Sequence, residues 1–383
     1  MKFLNYSLFC MSTLVLMGCS NEATTNLIKF DTQKEKVQLG KTLFFDKNLS
    51  KNRTQSCATC HNPEAGFVDD RDNGVGRQAS LGDDGHSLGD RQTPSVAYAM
   101  FSPKFHYNSR KRRYIGGQFW DGRKSTLADQ AEAPPINPSE MGMSSKEETV
   151  QRIQENIYYV ESFTKIYGNE IFSDTSKVYF AMAEAIENFE RTKEFAPFDS
   201  KYDRYLEGKY DLSRKEDLGR SLFFSNGRNS CASCHSLKGE GQKGETFTSY
   251  EFHNIGIPIN HELRVENGMS DIDLGLLSNP AVSDRRQRGK FKVPTLRNVA
   301  VTSPYMHNGI FKELTTVVEF YNKYNKRRGR INPETLRPWE KPEVQETISL
   351  RRLKSKRLNR RKIQALVAFM KLLTDKRYEH LVE

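Results

Sequence analysis

The sequence predicts a mainly α-helical protein made of two similar domains with long loops. An internal repeat is the first observation: residues 39–45 read LGKTLFF and residues 218–224 read LGRSLFF. Each copy is paired with a later segment, at 179–192 and 362–374, in which apolar side chains recur at helical spacing. Alternating strand patterns are sparse. These observations together favour two helical units of related design.

Each copy of the repeat is expected to form the first helix of its domain. The patterns T-x-x-E at 32–35 and S-x-x-E at 213–216 are capping boxes, which predict helix starts. Gly40 and Gly219 then provide positions at which the later helix can cross closely. The predicted domains are residues 27–206 and 207–383.

Two short motifs supply the chemistry. Residues 57–61 read CATCH and residues 231–235 read CASCH. C-x-x-C-H is the attachment signature of c-type haem, in which both thiols bind the porphyrin and the histidine lies under the iron. A thioredoxin-like redox pair needs no following histidine, and a zinc ribbon needs a second cysteine pair within about 20 residues. We therefore predict two haem c groups in two cytochrome c-like domains. The proposed attachment residues are Cys57, Cys60 and His61 for the first haem, and Cys231, Cys234 and His235 for the second.

The N-terminus predicts export. The apolar stretch at 8–17 is too short to span a bilayer and ends in L-M-G-C, which resembles a bacterial lipobox. This predicts a signal peptide at 1–18, a lipid on Cys19, a tether at 19–26 and a periplasmic protein anchored to a membrane. Ordinary secretory cleavage nearby is the alternative. Cys10 is lost with the signal and Cys19 would carry the lipid, so the four remaining cysteines are those of the haem motifs.

The positive charge is concentrated in one segment. The formal net charge is +11, and residues 323–362 carry 15 Lys and Arg against 4 Asp and Glu. Because the protein is expected outside the cytoplasm, nucleic acid is not a predicted partner. An acidic electron-donor protein or an anionic membrane surface is expected instead, and a solvated face without a partner is the alternative.

Further motifs occur in a fixed order along the chain. They are FWDGR (119–123), LADQA (127–131), NPSEM (137–141), VPTLRN (293–298), PYMHNG (304–309) and FYN (320–322). With them the chain resembles the bacterial di-haem cytochrome c peroxidases, including the MauG-type branch, over nearly its whole mature length. The resemblance implies that the first haem reacts with peroxide and that the second receives electrons.

The resemblance also implies roles for individual side chains. Trp120 would relay electrons between the haems, and Gln130 and Glu140 would line the distal pocket of the first haem, which Pro134 helps to shape. Peroxide cleavage needs a proton moved from one oxygen to the other; a carboxylate can move it, and an amide can orient the peroxide. Without the resemblance, Trp120 would be a core residue and Glu140 a surface carboxylate.

The sixth iron ligands are less well determined by the motifs. Many relatives place a histidine on the distal side of the first haem; here Asp83 aligns with it and His86 follows, so His86 is either that ligand or an exposed loop residue. MauG-type members leave this site open. For the second haem, the position 14 residues after the P-Y-x-H histidine is Tyr321, as in MauG-type proteins. We favour Tyr321 as its axial ligand, with Met306 as the alternative.

The family also binds calcium between its haems. The corresponding oxygen donors here would be Gln92, which replaces an asparagine, and the backbone carbonyls of Thr302 and Pro304. The remaining histidines receive no role. They are His106, His253, His261 and His380.

The leading functional hypothesis is a peroxidase that reduces hydrogen peroxide to water. Its electrons would come from a small cytochrome c or a copper protein. The first alternative is a MauG-type oxidase that acts on a protein or another substrate through high-valent haem. The second is a non-catalytic electron-transfer cytochrome, for which Gln130 and Glu140 would be superfluous. Relatives commonly pair, so a homodimer is also expected.

Overall fold

The computed structural model describes residues 21–225, 230–237, 244–325 and 331–382. The predicted signal peptide at 1–18 and Cys19 therefore lie outside the described residues. The described part of the chain is mainly helical, as the sequence predicts. Its α-helices are α1 (Asn21–Phe45), α2 (Cys57–Cys60), α3 (Leu127–Ala131), α4 (Lys146–Gln154), α5 (Ile157–Tyr167), α6 (Thr175–Glu190), α7 (Lys201–Leu206), α8 (Arg214–Phe223), α9 (His261–Asn267), α10 (Leu314–Asn322), α11 (Leu350–Leu353) and α12 (Arg360–Lys371).

Strands contribute little to the fold. Strand β1 (His106–Asn108) pairs antiparallel with β2 (Arg113–Ile115), and β3 (Phe252–His253) pairs antiparallel with β4 (Phe291–Lys292). In the second pair His253 lies opposite Phe291. Within the described ranges, no helix combines the length and apolarity needed to cross a bilayer.

Two helix pairs repeat the same close crossing. Helix α1 packs against α6, and α8 packs against α12. A Cβ on Gly40 would lie 1.8 Å from the Ala185 carbonyl oxygen, and a Cβ on Gly219 would lie 1.9 Å from that of Ala365. In each pair, the two helix backbones therefore touch at a position where only glycine fits. The prediction that a later helix crosses each repeat at its glycine is confirmed.

This contact gives the first testable prediction. We expect Gly219→Ala to lower the free energy of unfolding by about 1–3 kcal/mol, because the added methyl group must push α8 away from α12. Urea denaturation followed by circular dichroism measures the change. Gly89→Ala is the matched control, since its Cβ would meet only ordinary contacts, the nearest at 3.6 Å. Equal stability of the two variants would contradict the close crossing.

The helix starts were predicted with mixed success. Ser213 caps α8 as expected: its Oγ accepts from the Glu216 amide at 3.3 Å, and the Glu216 carboxylate accepts from the Ser213 amide at 2.7 Å. The start predicted at Thr32 is wrong, because α1 already begins at Asn21. No proline or glycine interrupts residues 21–39, so the helix continues through the capping signal and includes most of the predicted tether.

Two apolar cores lie around these helix pairs. The first core includes Leu43 and Phe44 of α1 with Ile186 and Phe189 of α6. The second core joins α8 to α12, and its members include Phe223, Leu366, Phe369 and Leu373. Tyr202 of α7 also packs in the second core. Helix α7, which the sequence assigned to the first domain, thus packs with the second core.

A buried polar network lies near both cores. Arg297 is fully buried and donates to both carboxylate oxygens of Asp203, at 2.6 and 2.9 Å. Next to it, Asn298 donates to Asp375 at 2.8 Å, and the Tyr98 hydroxyl donates to the other oxygen of Asp375 at 2.5 Å. Because Tyr98 belongs to the first core, this network ties that core to the segment after α12.

Candidate functional site

The first C-x-x-C-H motif presents its histidine in a form that can bind a metal. Its cysteines lie in the short helix α2, and His61 follows directly. The His61 Nδ1 lies 3.2 Å from the carbonyl oxygen of Phe67, so an Nδ1–H donor there leaves Nε2 free. Burial lowers the pKa of His61, which favours the neutral, ligating imidazole.

The second motif repeats this arrangement. The His235 Nδ1 lies 3.1 Å from the carbonyl oxygen of Phe247, and burial lowers the pKa of His235 to about 4. Phe67 and Phe247 are both fully buried and both have positive φ angles, 59° and 54°. Two loops of different length thus direct a backbone carbonyl toward the histidine in the same way.

The surroundings of the four cysteines match haem attachment better than the alternatives. None of the four forms a disulfide. In the ranges described here, no group of three or more His, Cys, Asp and Glu side chains is arranged as a zinc site would be. Each pair is followed by a buried, oriented histidine, as a c-type haem requires.

A cavity of about 530 Å³ lies against the first motif. Cys57, Cys60 and His61 form part of its wall. The predicted catalytic and pocket-shaping residues also line it; they are Trp120, Gln130, Pro134 and Glu140. The volume is typical of a site for a bound organic group. The structure therefore brings together, around one space, the side chains that the motifs assigned to the first haem.

Glu140 is a carboxyl group with a shifted pKa in the wall of this cavity. Asn137 donates to its Oε1 at 2.9 Å, which fixes the orientation of the carboxyl group. Burial raises the pKa of Glu140, and the positive charge of Arg123 acts in the opposite direction. A carboxyl group whose pKa is raised toward neutral pH can both accept and return a proton.

Trp120 lines the cavity and is hydrogen-bonded to strand β4. Its Nε1 donates to the carbonyl oxygen of Gln92 at 2.8 Å, and its own carbonyl oxygen accepts from the Lys292 amide at 2.8 Å. Lys292 ends β4, whose partner β3 carries His253 next to the Cys234 thiol. Hydrogen bonds from Trp120 to β4, and from β4 to β3, thus connect the Trp120 segment with the second C-x-x-C-H loop.

Three ionisable groups near these sites, one buried and two partly buried, were missed by the sequence analysis. Glu190 lines the cavity near Cys57, and burial raises its pKa to about 8. Lys292 donates to the Gly117 carbonyl at 2.5 Å, and burial lowers its pKa to about 8. His253, left without a role, lies beside Cys234 and 3.5 Å from Glu251. Of these, only Glu190 could have been found from the sequence, because it occupies a position on the apolar face of α6.

The candidates for the sixth ligand of the second haem lie in different places. Burial raises the pKa of Tyr321, and the nearby Cys234 and Cys231 thiols raise it further, so the phenol lies close to the second motif. Met306 lines the cavity beside the first motif and also packs against the second core. The position of the phenol is consistent with Tyr321 as the ligand, and Met306 stays the alternative.

The structure does not bring His86 into the cavity. It lies exposed in a turn where its backbone amide donates to Asp84 at 2.9 Å, and it is absent from the cavity wall. Asp83, which aligns with the ligand of other family members, is buried and accepts from Thr54 at 2.5 Å. This bond joins Asp83 to a residue three positions before Cys57, while the His86 side chain stays exposed, so the arrangement matches the exposed-loop alternative.

The three residues expected to bind calcium share one location. Gln92, Thr302 and Pro304 all line the cavity, and Gln92 is buried. The backbone amide of Gln92 donates to the carbonyl oxygen of His307 at 2.8 Å, which connects the segment around Gln92 to the P-Y-M-H loop. An amide oxygen and two carbonyls are ligands that suit a hard cation.

Comparisons with known proteins agree with this site. The profile of the family described as di-haem cytochrome c peroxidase matches residues 34–211. The methylamine utilization protein MauG of Paracoccus denitrificans is 45% identical over 351 residues, covering 90% of each chain. The cytochrome c551 peroxidase of Pseudomonas aeruginosa is 30% identical over 303 residues, 78% of this chain and 74% of that protein. Among solved structures, the diheme peroxidase BthA of Burkholderia thailandensis superposes with a TM-score of 0.76 at 27% identity, covering 91% of this chain and 88% of that one. The chain therefore belongs to the di-haem cytochrome c peroxidase family, which also includes the MauG proteins.

Proposed function

We propose that this protein is a periplasmic di-haem peroxidase that reduces hydrogen peroxide to water with electrons from a small cytochrome c or copper protein. The observation that carries the proposal is the oriented Glu140 carboxyl in the cavity beside the first C-x-x-C-H motif. Relatives named cytochrome c peroxidases support it. Each apolar core is proposed to be one cytochrome c-like domain with its own haem.

The division of labour follows from the residues around the cavity. Bound haem supplies the redox chemistry that breaks the O–O bond. Glu140 accepts a proton from the peroxide oxygen nearer the haem and returns it to the departing oxygen, while the Gln130 amide orients the substrate. Two electrons and two protons are consumed for each peroxide, and two water molecules leave. The role proposed for Trp120 is electron relay between the two motifs.

Tyr321 is the proposed axial ligand of the second haem. We expect the absorption spectrum of the purified protein to lack the band of methionine–iron ligation, because the Tyr321 phenolate would hold that position. Tyr321→Phe should change the spectrum of the second haem, and Met306→Leu, the matched control, should leave it unchanged. A methionine–iron band that disappears in Met306→Leu would contradict the assignment.

A MauG-type oxidase is the second candidate function. The 45% identity to a MauG protein and the position of Tyr321 beside the second motif favour it. The two functions separate in one experiment with purified protein. A peroxidase turns over continuously when given peroxide and a reduced cytochrome or copper protein. An oxidase instead forms a long-lived oxidised species with peroxide alone, and a simple electron carrier does neither.

Three further features are proposed from the sequence. A lipid on Cys19 would anchor the protein to a membrane, and Cys19→Ser would then release it into the soluble fraction. A calcium ion would bind at Gln92, Thr302 and Pro304, and removing it with a chelator would disturb the spectra of both haems. Sedimentation measurements would test the expected homodimer.

A further inference from the structure

One stretch of the chain carries only positive charge. Between Glu346 and Asp375 there is no Asp or Glu, whereas nine Lys and Arg residues occur there. Within it, residues 350–361 are here named the cationic strap. They comprise α11, the linker after it and the first two residues of α12. Six of its cations are exposed; they are Arg351, Lys354, Lys356, Arg357, Arg360 and Arg361.

The strap is held in place at several points. Just before it, the Ser349 amide donates to the carbonyl oxygen of Asn254 at 2.9 Å. Leu353 is buried in the protein. Near the other end, Leu358 exchanges two hydrogen bonds of 3.0 Å with the side chain of Asn322. The cations therefore stand on a fixed backbone and form a defined surface.

These anchor points lie next to the second C-x-x-C-H motif. Asn322 follows Tyr321, whose phenol lies close to the Cys231 and Cys234 thiols. Asn254 follows His253, which lies beside Cys234. Arg352 of the strap itself is close enough to act electrostatically on Cys234. Cys231 is exposed, so the second site meets solvent beside the strap.

We propose that the cationic strap is the docking surface for an acidic redox protein, which delivers its electrons to the second haem site. The proposal rests on the proposed function and names the kind of partner. A field of one sign steers an oppositely charged protein to the correct face and accelerates the encounter. Leu350 is 46% exposed among the cations, which gives a docked partner an apolar contact.

The position of the charges favours a protein partner over a membrane. An anionic bilayer could attract cations anywhere on the surface. Here the cations are fixed beside an exposed cysteine of a redox site, where a bilayer would cover the route by which a soluble donor approaches. A redox protein is the partner that needs charge at this place.

The test compares two variants that lose the same charge. Arg351, Lys356 and Arg357 are changed together to Gln in the strap variant. Lys47, Lys51 and Lys193, which are exposed in the part of the chain that forms the first core, are changed together to Gln in the control. The probe is a reduced, acidic blue-copper protein, and peroxide-driven oxidation of the probe is followed at several salt concentrations.

We expect the strap variant to lose roughly tenfold to a hundredfold in kcat/KM for the copper protein, with a weaker salt dependence, and the control to behave as the unmodified protein. Calorimetric binding of the oxidised copper protein should weaken in parallel. Turnover driven by hydroquinone, an uncharged donor, should be the same in all three. Equal kcat/KM and equal binding in the two variants would overturn the proposal.

Two other outcomes are informative. Absence of turnover with every donor would refute the proposed peroxidase function, and the binding measurement would still decide the docking proposal. If the strap variant loses binding to phosphatidylglycerol vesicles but binds and oxidises the copper protein normally, the strap is a membrane surface and the docking proposal is wrong.

Discussion

Replacing Glu140 with glutamine is expected to lower peroxide turnover by roughly 10²- to 10⁴-fold, the usual contribution of a positioned acid–base group. Glutamine keeps the size and the hydrogen bond from Asn137 but cannot accept a proton from the peroxide. The cavity should remain intact, so the variant should still carry two haems. Steady-state kinetics with peroxide and a reduced donor measure the effect, and the haem absorption spectrum verifies incorporation.

The same substitution should remove a pH dependence. Because burial raises the pKa of Glu140, the carboxyl takes up a proton at a higher pH than an exposed glutamate, and turnover should fall as the pH decreases through that raised pKa. Glu140→Gln should lack this acidic limb. Glu147→Gln, at an exposed position on α4, is the control and should retain both rate and pH profile. Turnover of Glu140→Gln equal to that of this control would exclude Glu140 from the chemistry.

Replacing Arg297 with leucine is expected to lower the free energy of unfolding by about 3–5 kcal/mol, the typical cost of breaking a buried ion pair. Arg297 is fully buried and makes two hydrogen bonds with Asp203. Without it the Asp203 carboxyl group loses two hydrogen bonds at a position where its side chain is only 12% exposed. Its guanidinium also lies over the Phe198 ring at 4.9 Å, so packing is lost as well. Chemical denaturation measures the change.

Two further variants identify the cause of this loss. Arg286→Leu breaks an ion pair with Asp284, but the Arg286 side chain is 85% exposed, so only a small loss of stability is expected. Changing Arg297 and Asp203 together to leucine removes the unpaired charge and should recover part of the stability. If the double variant is no more stable than Arg297→Leu, then charge burial is not the origin of the effect.

The helical framework could be predicted because it depends on local patterns. The repeat glycines, the Ser213 cap and the helical spacing of the later segments each act over a few residues, and the structure confirms the two close helix crossings. The haem motifs are local as well: the sequence places the two thiols and the histidine together, and folding adds only the carbonyl that orients the histidine.

The rest could not be read from local patterns. Thr32 has the correct neighbours for a cap, but the sequence before it is equally able to form a helix, so α1 extends beyond it. His86 lies in a turn whose residue Asp83 bonds to Thr54, 29 residues earlier, a contact that the sequence around His86 does not reveal. Lys292 is partly shielded from solvent where β4 hydrogen-bonds to the Trp120 segment, which nothing in its own sequence indicates.

The hydrogen bond from the Trp120 ring to the Gln92 carbonyl has a consequence for any electron that the ring gives up. An indole that has lost an electron becomes strongly acidic and would normally release its N–H proton to a nearby base. A peptide carbonyl is too weak a base to keep that proton. The ring would then remain a radical cation, its potential would not vary with pH, and refilling it would require one electron and no proton.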